Sequence, residues 1–399
     1  MKTPWMKACA LAGLCWLTWA SPAIAAAPWV TGYLPGYTQD GAGNAAYMDD
    51  ADWEMLTHVV HFASEINPST GTLTDTGNSI GAIKRQKAIA LAHSKNRPIL
   101  FSVVAWENIH KPVLADPLKR QALIDSLLAR LDEGYDGLDI DLEPIVSWGQ
   151  TANADYELFI NALHAAMQQK TSALLQRPPL LAVAADYRAK TVLSHLHTKI
   201  DQINIMFYNM ATHNEAITWH DAALYDGGKT YPSTGGKVSS VDGYIKQLLD
   251  AGVPRDKLGL GMSFEIRLWK GGSGTATGGA TAPFQTWTSV PQEWTTGTPL
   301  ESYAQLMDNR YQQSQYRWDD VAKMGYLSID AENDADDQFV SFNDPRAVAE
   351  KIQYVKKMQL GGAMIWHLQL DYRAAKTGSK RREIMHSIRN ALATGATPQ

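Results

Sequence analysis

Eight consecutive residues carry an arrangement that could do chemistry: Asp136-Gly137-Leu138-Asp139-Ile140-Asp141-Leu142-Glu143. In an extended strand, alternate side chains share a face. Asp139, Asp141 and Glu143 then line one face, and Leu138, Ile140 and Leu142 the other. Three carboxylates at steps of about 6 to 7 Å are costly unless they are hydrogen-bonded or partly protonated. Like charges at that range push their pKa values apart, so one group keeps its proton and can serve as an acid. Glu143 ends the strand and lies nearest the substrate loops, which makes it the natural proton donor. Asp141 beneath it can share a proton or orient a substrate group, and Asp139, deeper still, tunes Asp141. Two other readings fit the same spacing. Oxygen ligands suit magnesium or calcium, and an acidic run can be a solvated turn, although a solvated turn has no need of an apolar outer face.

Such a strand needs a scaffold that aims its acidic face at a cleft. Short apolar runs alternate with helical patterns along the chain, which predicts parallel strands joined by crossover helices. Eight runs qualify: 29–33, 58–63, 98–104, 137–142, 180–184, 202–208, 257–262 and 361–366. Helical stretches are predicted at 79–94, 118–133, 153–176, 238–251, 345–359 and 379–393, with Asn153 capping the third. The expected fold is an α/β (β/α)8 TIM barrel over 28–262 and 345–393, since no glycine-rich fingerprint follows the first strand to support a Rossmann sheet. The 82 residues from Ser263 to Asp344 are too long for a structureless loop. They are expected to form a small α+β insertion whose Trp269, Trp287, Trp294, Trp318 and Tyr326 make one wall of the cleft.

Composition narrows the function. Lys and Arg number 36 against 41 Asp and Glu, a formal charge of −5, so no nucleic-acid partner is expected. The 13 Trp and 16 Tyr supply flat rings of the kind that stack on sugars or bases. Lys2 and Lys7 precede an apolar stretch, Ala8 to Trp19, and then Ala23-Ile24-Ala25. That order predicts a signal peptide over 1–25 and a secreted or periplasmic protein. Twelve apolar residues are too few for a span of about 30 Å, so no membrane anchor is expected. Both cysteines, Cys9 and Cys15, fall in this segment. The mature chain would carry none, with a formal charge of −7 once Lys2 and Lys7 are removed, and no metal or cofactor is expected. A monomer is expected.

The run from Asp136 to Glu143 resembles the D-G-x-D-x-D-x-E signature of glycoside hydrolase family 18, the chitinases. Val30-Thr31-Gly32-Tyr33 resembles that family's first strand, Met206-Phe207-Tyr208-Asn209 its M-x-Y-[DN] strand, and Gly361 to Trp366 its last strand. Phe339 to Pro345, followed by Lys351, is similar to the exit from its insertion domain. The resemblance implies roles. Glu143 is the general acid and then the general base, Asp141 stabilises the substrate's N-acetyl group, and Asp139 is its buried partner. Tyr208 would donate a hydrogen bond to the acetamide oxygen. Tyr33 and Ser102 support the acids, Met206 and Asn209 shape the pocket, and Trp366 floors the −1 subsite. The implied reaction is retaining and substrate-assisted, through an oxazolinium ion, on chitin or N-acetylglucosamine oligosaccharides. Endo-β-N-acetylglucosaminidase action and non-hydrolytic chitin binding are the alternatives.

The chain departs from the family pattern in places. Ser102-Val103-Val104-Ala105-Trp106 keeps the serine of S-x-G-G and loses both glycines. Ser263-Phe264-Glu265-Ile266-Arg267 keeps only the phenylalanine and arginine of P-F-Y-G-R, and Arg267 is counted with the substrate-binding residues. Trp106 and Trp148, just past the third and fourth strands, are placed to stack on sugars. Trp219 is balanced between stacking and packing.

Overall fold

The computed structural model describes residues 27–49, 51–75, 80–211, 217–293 and 301–394. The expected signal peptide and Trp294 lie outside these residues. Among them, eight parallel strands close into a barrel: β1 (Trp29–Pro35), β2 (His58–Glu65), β3 (Ile99–Trp106), β4 (Gly137–Glu143), β5 (Leu180–Ala185), β6 (Gln202–Ile205), β7 (Leu258–Ser263) and β13 (Gly362–Trp366). All eight expected runs are strands. Consecutive strands are neighbours, and β13 closes the barrel between β7 and β1. That closure is tight: a Cβ on Gly361 or Gly362 would lie 2.1 or 2.4 Å from the Trp29 ring.

The helices are α1 (Ala82–Ser94), α2 (Glu107–Ala115), α3 (Pro117–Asp132), α4 (Ala154–Met167), α5 (Lys190–Leu196), α6 (Val241–Asp250), α7 (Tyr303–Asn309), α8 (Pro345–Met358) and α9 (Glu383–Ala393). Asn153 caps α4 as expected, accepting from the Tyr156 N–H. The expected helix over 153–176 stops at Met167. Its second half folds back so that the Ser172 hydroxyl reaches Asp136, 2.6 Å away. The sequence pattern also missed α2, α5 and α7. The first runs straight on from β3 and contains Pro112, and the other two have only 7 residues each.

Outward-facing Leu138, Ile140 and Leu142 join the large core between strands and helices. Inside the barrel a smaller cluster forms from Tyr33, Val60, Leu100, Ala182 and Met364, with Met206, Tyr208 and Trp366 packed on it. At 25 cal/mol per Å², a fully buried Leu or Ile contributes about 1.5–3 kcal/mol, so the outer face of β4 anchors the acids on its inner face.

The stretch between β7 and α8 folds as an antiparallel sheet in the order β10-β11-β12-β8-β9, with α7 in its connections. Its strands are β8 (Arg267–Lys270), β9 (Gln292–Glu293), β10 (Tyr316–Asp319), β11 (Met324–Ile329) and β12 (Gln338–Phe342). The expectation of an aromatic cleft wall needs correction. Trp269 is fully buried beside Met324 and Phe339, and Trp287, Trp318 and Tyr326 pack on the same cluster. These rings build the insertion's own core. Trp219 belongs there too, its indole N–H donating to the Ser239 carbonyl at 2.8 Å.

Candidate active site

Parallel pairing places the ladder in register with its supports. Ser102 of β3 lies opposite Asp139, Val104 opposite Asp141, and Trp106 opposite Glu143. The Tyr33 hydroxyl donates to Asp139 Oδ1 at 3.0 Å, and the Ser102 hydroxyl to Oδ2 at 2.8 Å. Burial pushes Asp139 up to about 6, and these two hydrogen bonds pull the other way. Asp141 is 5% exposed, and its Oδ1 has no hydrogen-bond partner. Burial first, then the charges of Glu143 and Asp139, hold Asp141 well above the carboxylate range. Glu143 is raised by burial, while its hydrogen bond with Asp141 lowers it. The two therefore share a proton and titrate as a pair.

Tyr208 sits past the end of β6, which stops at Ile205 and not at Tyr208 as expected. Burial and the nearby charges of Asp141 and Glu143 raise its phenol well above the usual range, so it stays a donor. Trp366 ends β13. Its ring meets Tyr33 edge-on at 5.6 Å and Phe62 edge-on at 4.8 Å. Met206 packs in the same cluster. Tyr33, Ser102, Asp139, Asp141, Glu143, Met206, Tyr208 and Trp366 are thus gathered at one end of the barrel, the C-terminal end of the strands, where barrel sites are built.

Trp106 is 63% exposed and Trp148 84%. Their loops are laced together. The Ser147 hydroxyl donates to Glu107 at 2.8 Å, and Lys111 bonds both groups. Beyond them, Arg188 forks onto Asp186 at 2.6 and 3.0 Å and lies 5.1 Å over the Trp148 ring. Asp186 raises Glu143, and Arg188 lowers it.

Asn209 and Arg267 are placed differently from a simple pair of sugar contacts. Asn209 has φ 54°, and its backbone N–H donates to Asp221 Oδ2 at 3.0 Å. Arg267 is 6% exposed and ion-pairs Asp221 at 2.9 Å. It reaches Asn209 Oδ1 only at 3.5 Å. The adjacent His220 is fully buried. Its Nδ1 lies 2.9 Å from the Ser341 hydroxyl and its Nε2 3.3 Å from Asp319. The turn after Tyr208 is thereby tied to the insertion sheet. Asp186, Arg188, Asp221 and Glu265 escaped the sequence reading. Asp186, Arg188 and Glu265 lie just beyond strand ends and Asp221 in the long connection between β6 and α6, where no periodicity marks them. The loss of tyrosine from P-F-Y-G-R was the one available pointer to Glu265.

A barrel with a proton-sharing carboxylate pair at its strand ends, flanked by exposed tryptophans, defines a glycoside hydrolase. The chain belongs to glycosyl hydrolases family 18, whose model matches residues 30–371. It is 29% identical to Chitinase A1 of Niallia circulans over 312 residues, 73% of this chain and 42% of that protein, so it spans less than half of that relative. It is 27% identical to Chitinase B of Serratia marcescens over 381 residues, covering 80% of this chain and 74% of that protein. Among solved structures, the Ostrinia furnacalis Group IV chitinase shares the fold at a TM-score of 0.73 and 22% identity, over 92% of this chain and all of that one. A chitinase from Bacillus thuringiensis does so at 0.74 and 24%, over 94% of this chain and 71% of that one.

Proposed function

We propose that the protein is an exported chitinase that cleaves β-1,4 bonds between N-acetylglucosamine units. One observation carries this reading: Asp141, which bonds the acid Glu143 and whose charge acts on Tyr208, keeps a buried Oδ1 without a partner. A carboxylate oxygen left unsatisfied there is a cost of about 1–3 kcal/mol, which a substrate N–H would remove. In the proposed reaction Glu143 gives the shared proton to the leaving oxygen. The substrate's acetamide oxygen attacks the anomeric carbon with help from Tyr208, and an oxazolinium ion forms. Asp141, now ionised, faces the acetamide N–H and stabilises the positive ring. Glu143 then removes a proton from the water that opens it, with retention. The names of the relatives support chitin as substrate. The basic and apolar start of the chain supports export to the periplasm or beyond, and a monomer suffices for the site.

Time-resolved product analysis on chitohexaose tests the reading. Early β-anomeric dimers and trimers are expected from the wild type and none from Glu143→Gln. An intact, folded wild type that yields no product would overturn it.

A further inference from the structure

The acids around the cleft are not equally matched. Asp186 is forked by Arg188, and Asp221 pairs with Arg267. Glu265, two residues past the end of β7, forms no ion pair among the described residues. Its side chain is bonded by Ser263, at 3.4 Å, and by Trp366. Burial raises its pKa first and the charge of Asp221 adds to that, while the two hydrogen bonds and the charge of Arg267 only partly offset the rise. The group is partly exposed, so a ligand can reach it.

Its position says which part of a bound chain it meets. The half of the cleft built by β3, β4 and β5 carries Glu143, Trp106, Trp148 and the Asp186–Arg188 fork. Across the barrel, β7, β13 and β1 carry Glu265, Trp366 and Tyr37. Tyr37 is 58% exposed, lies edge-on to His367 at 6.0 Å, and feels the charge of Glu265. The carboxylate therefore looks along the Trp366 side, where the glycone lies if Trp366 floors the reacting sugar. That sugar must keep its acetyl group to supply the internal nucleophile. The next unit out has no such requirement.

We infer that Glu265 selects a protonated glucosamine on the glycone side, next to the reacting N-acetylglucosamine, so that partly deacetylated chitin is the preferred substrate. This selectivity presupposes the hydrolase proposed above. An ammonium group supplies the cation that Glu265 lacks, and a charge-assisted bond in a half-buried cleft is worth about tenfold.

The test uses the full chain and two hexamers, one fully acetylated and one carrying a single glucosamine at a defined position. The ratio of kcat/KM between them is the readout, with product masses locating the glucosamine. The wild type is expected to favour the glucosamine hexamer by about tenfold, with the amine in the glycone product and the preference shrinking as salt rises. Glu265→Gln is expected to bring the ratio to about one. If Glu265 only braces Trp366, the variant will slow both substrates equally and keep the wild-type ratio, which overturns the inference. Calorimetric binding of both hexamers to Glu143→Gln and to the Glu143→Gln/Glu265→Gln double variant gives the same ratio as dissociation constants. Should the wild type cleave neither hexamer, the hydrolase reading fails while the binding ratio still decides the role of Glu265.

Discussion

The carboxylate ladder of β4 and the root of the insertion both bury charge, and they finish it differently. At the root the charges of Asp221, Arg267 and Lys351 are answered. The Asp221 carboxylate holds Arg267 and accepts from the backbone N–H of Asn209. Fully buried Lys351 bonds Asn343, which in turn donates to the Ser263 carbonyl at 2.8 Å. On the ladder only Asp139, at the bottom, is answered on both oxygens. Asp141 above it keeps one oxygen open, and Glu143 shares its proton. A satisfied buried network fixes a shape, and an unsatisfied one stores a demand that a substrate can meet. The root sets where the Tyr208 turn lies, and the ladder acts on what arrives.

The contrast can be broken by substitution. The largest effect is expected at Glu143→Gln: kcat falls by about 10²–10⁴-fold with an unchanged unfolding midpoint. Loss of stability with activity retained would remove Glu143 from the chemistry. Asp221→Ala should do the reverse in the first instance. It leaves Arg267 buried with one partner fewer and should cost about 3–5 kcal/mol in denaturant unfolding, whereas Asp221→Asn, which keeps an acceptor for the Asn209 N–H, should cost less. Equal losses in the two would mean that the charge alone matters.

The third effect has the opposite sign. Because the folded-state pKa of Asp141 lies above the unfolded value, its contribution to stability is fully present below about pH 3.9. It is lost as pH rises through the raised folded value. Asp141→Asn removes that loss. Its unfolding free energy should exceed the wild type's at pH 8 by about 1–3 kcal/mol, and the gap should close near pH 4. A destabilised variant at pH 8 would show that the ladder is as well satisfied as the root. The smallest effect concerns the fork beside the acid. Removing the Arg188 charge (Arg188→Gln) should move the alkaline limb of kcat/KM up, and Asp186→Asn should move it down, since the two act on Glu143 with opposite signs. Shifts in the same direction would show that they act as one neutral unit.

The ladder was legible because a period of two is written into the sequence itself: acids at 139, 141 and 143, aliphatics at 138, 140 and 142. The barrel followed from eight such apolar runs. What the sequence withheld depends on tertiary placement. Trp219 and Trp269 carry nothing local that separates a sugar platform from a core ring, and only the packing of β8, β11 and β12 decides it. Nothing local in the sequence shows that Asp221, 46 positions away in the chain, holds Arg267. Glu265 and Asp186 stand just outside their strands, where alternation has ended. The 153–176 pattern read as one helix because its second half has no breaker before Pro178, although a hydrogen bond to Asp136 turns it earlier.

The closing of the barrel by β13 against β1 bears on when the protein becomes competent during synthesis. The three acids, Ser102 and the exposed Trp106 and Trp148 lie within 102–188, whereas Tyr33 and Tyr208 lie outside that block. Trp366 arrives with the last strand, and it meets Tyr33 of the first only when the two ends of the barrel join. A nascent chain, or one truncated before residue 362, holds the acid without the surface against which a sugar would be presented. Completion of the polypeptide is in this sense the first control on its activity.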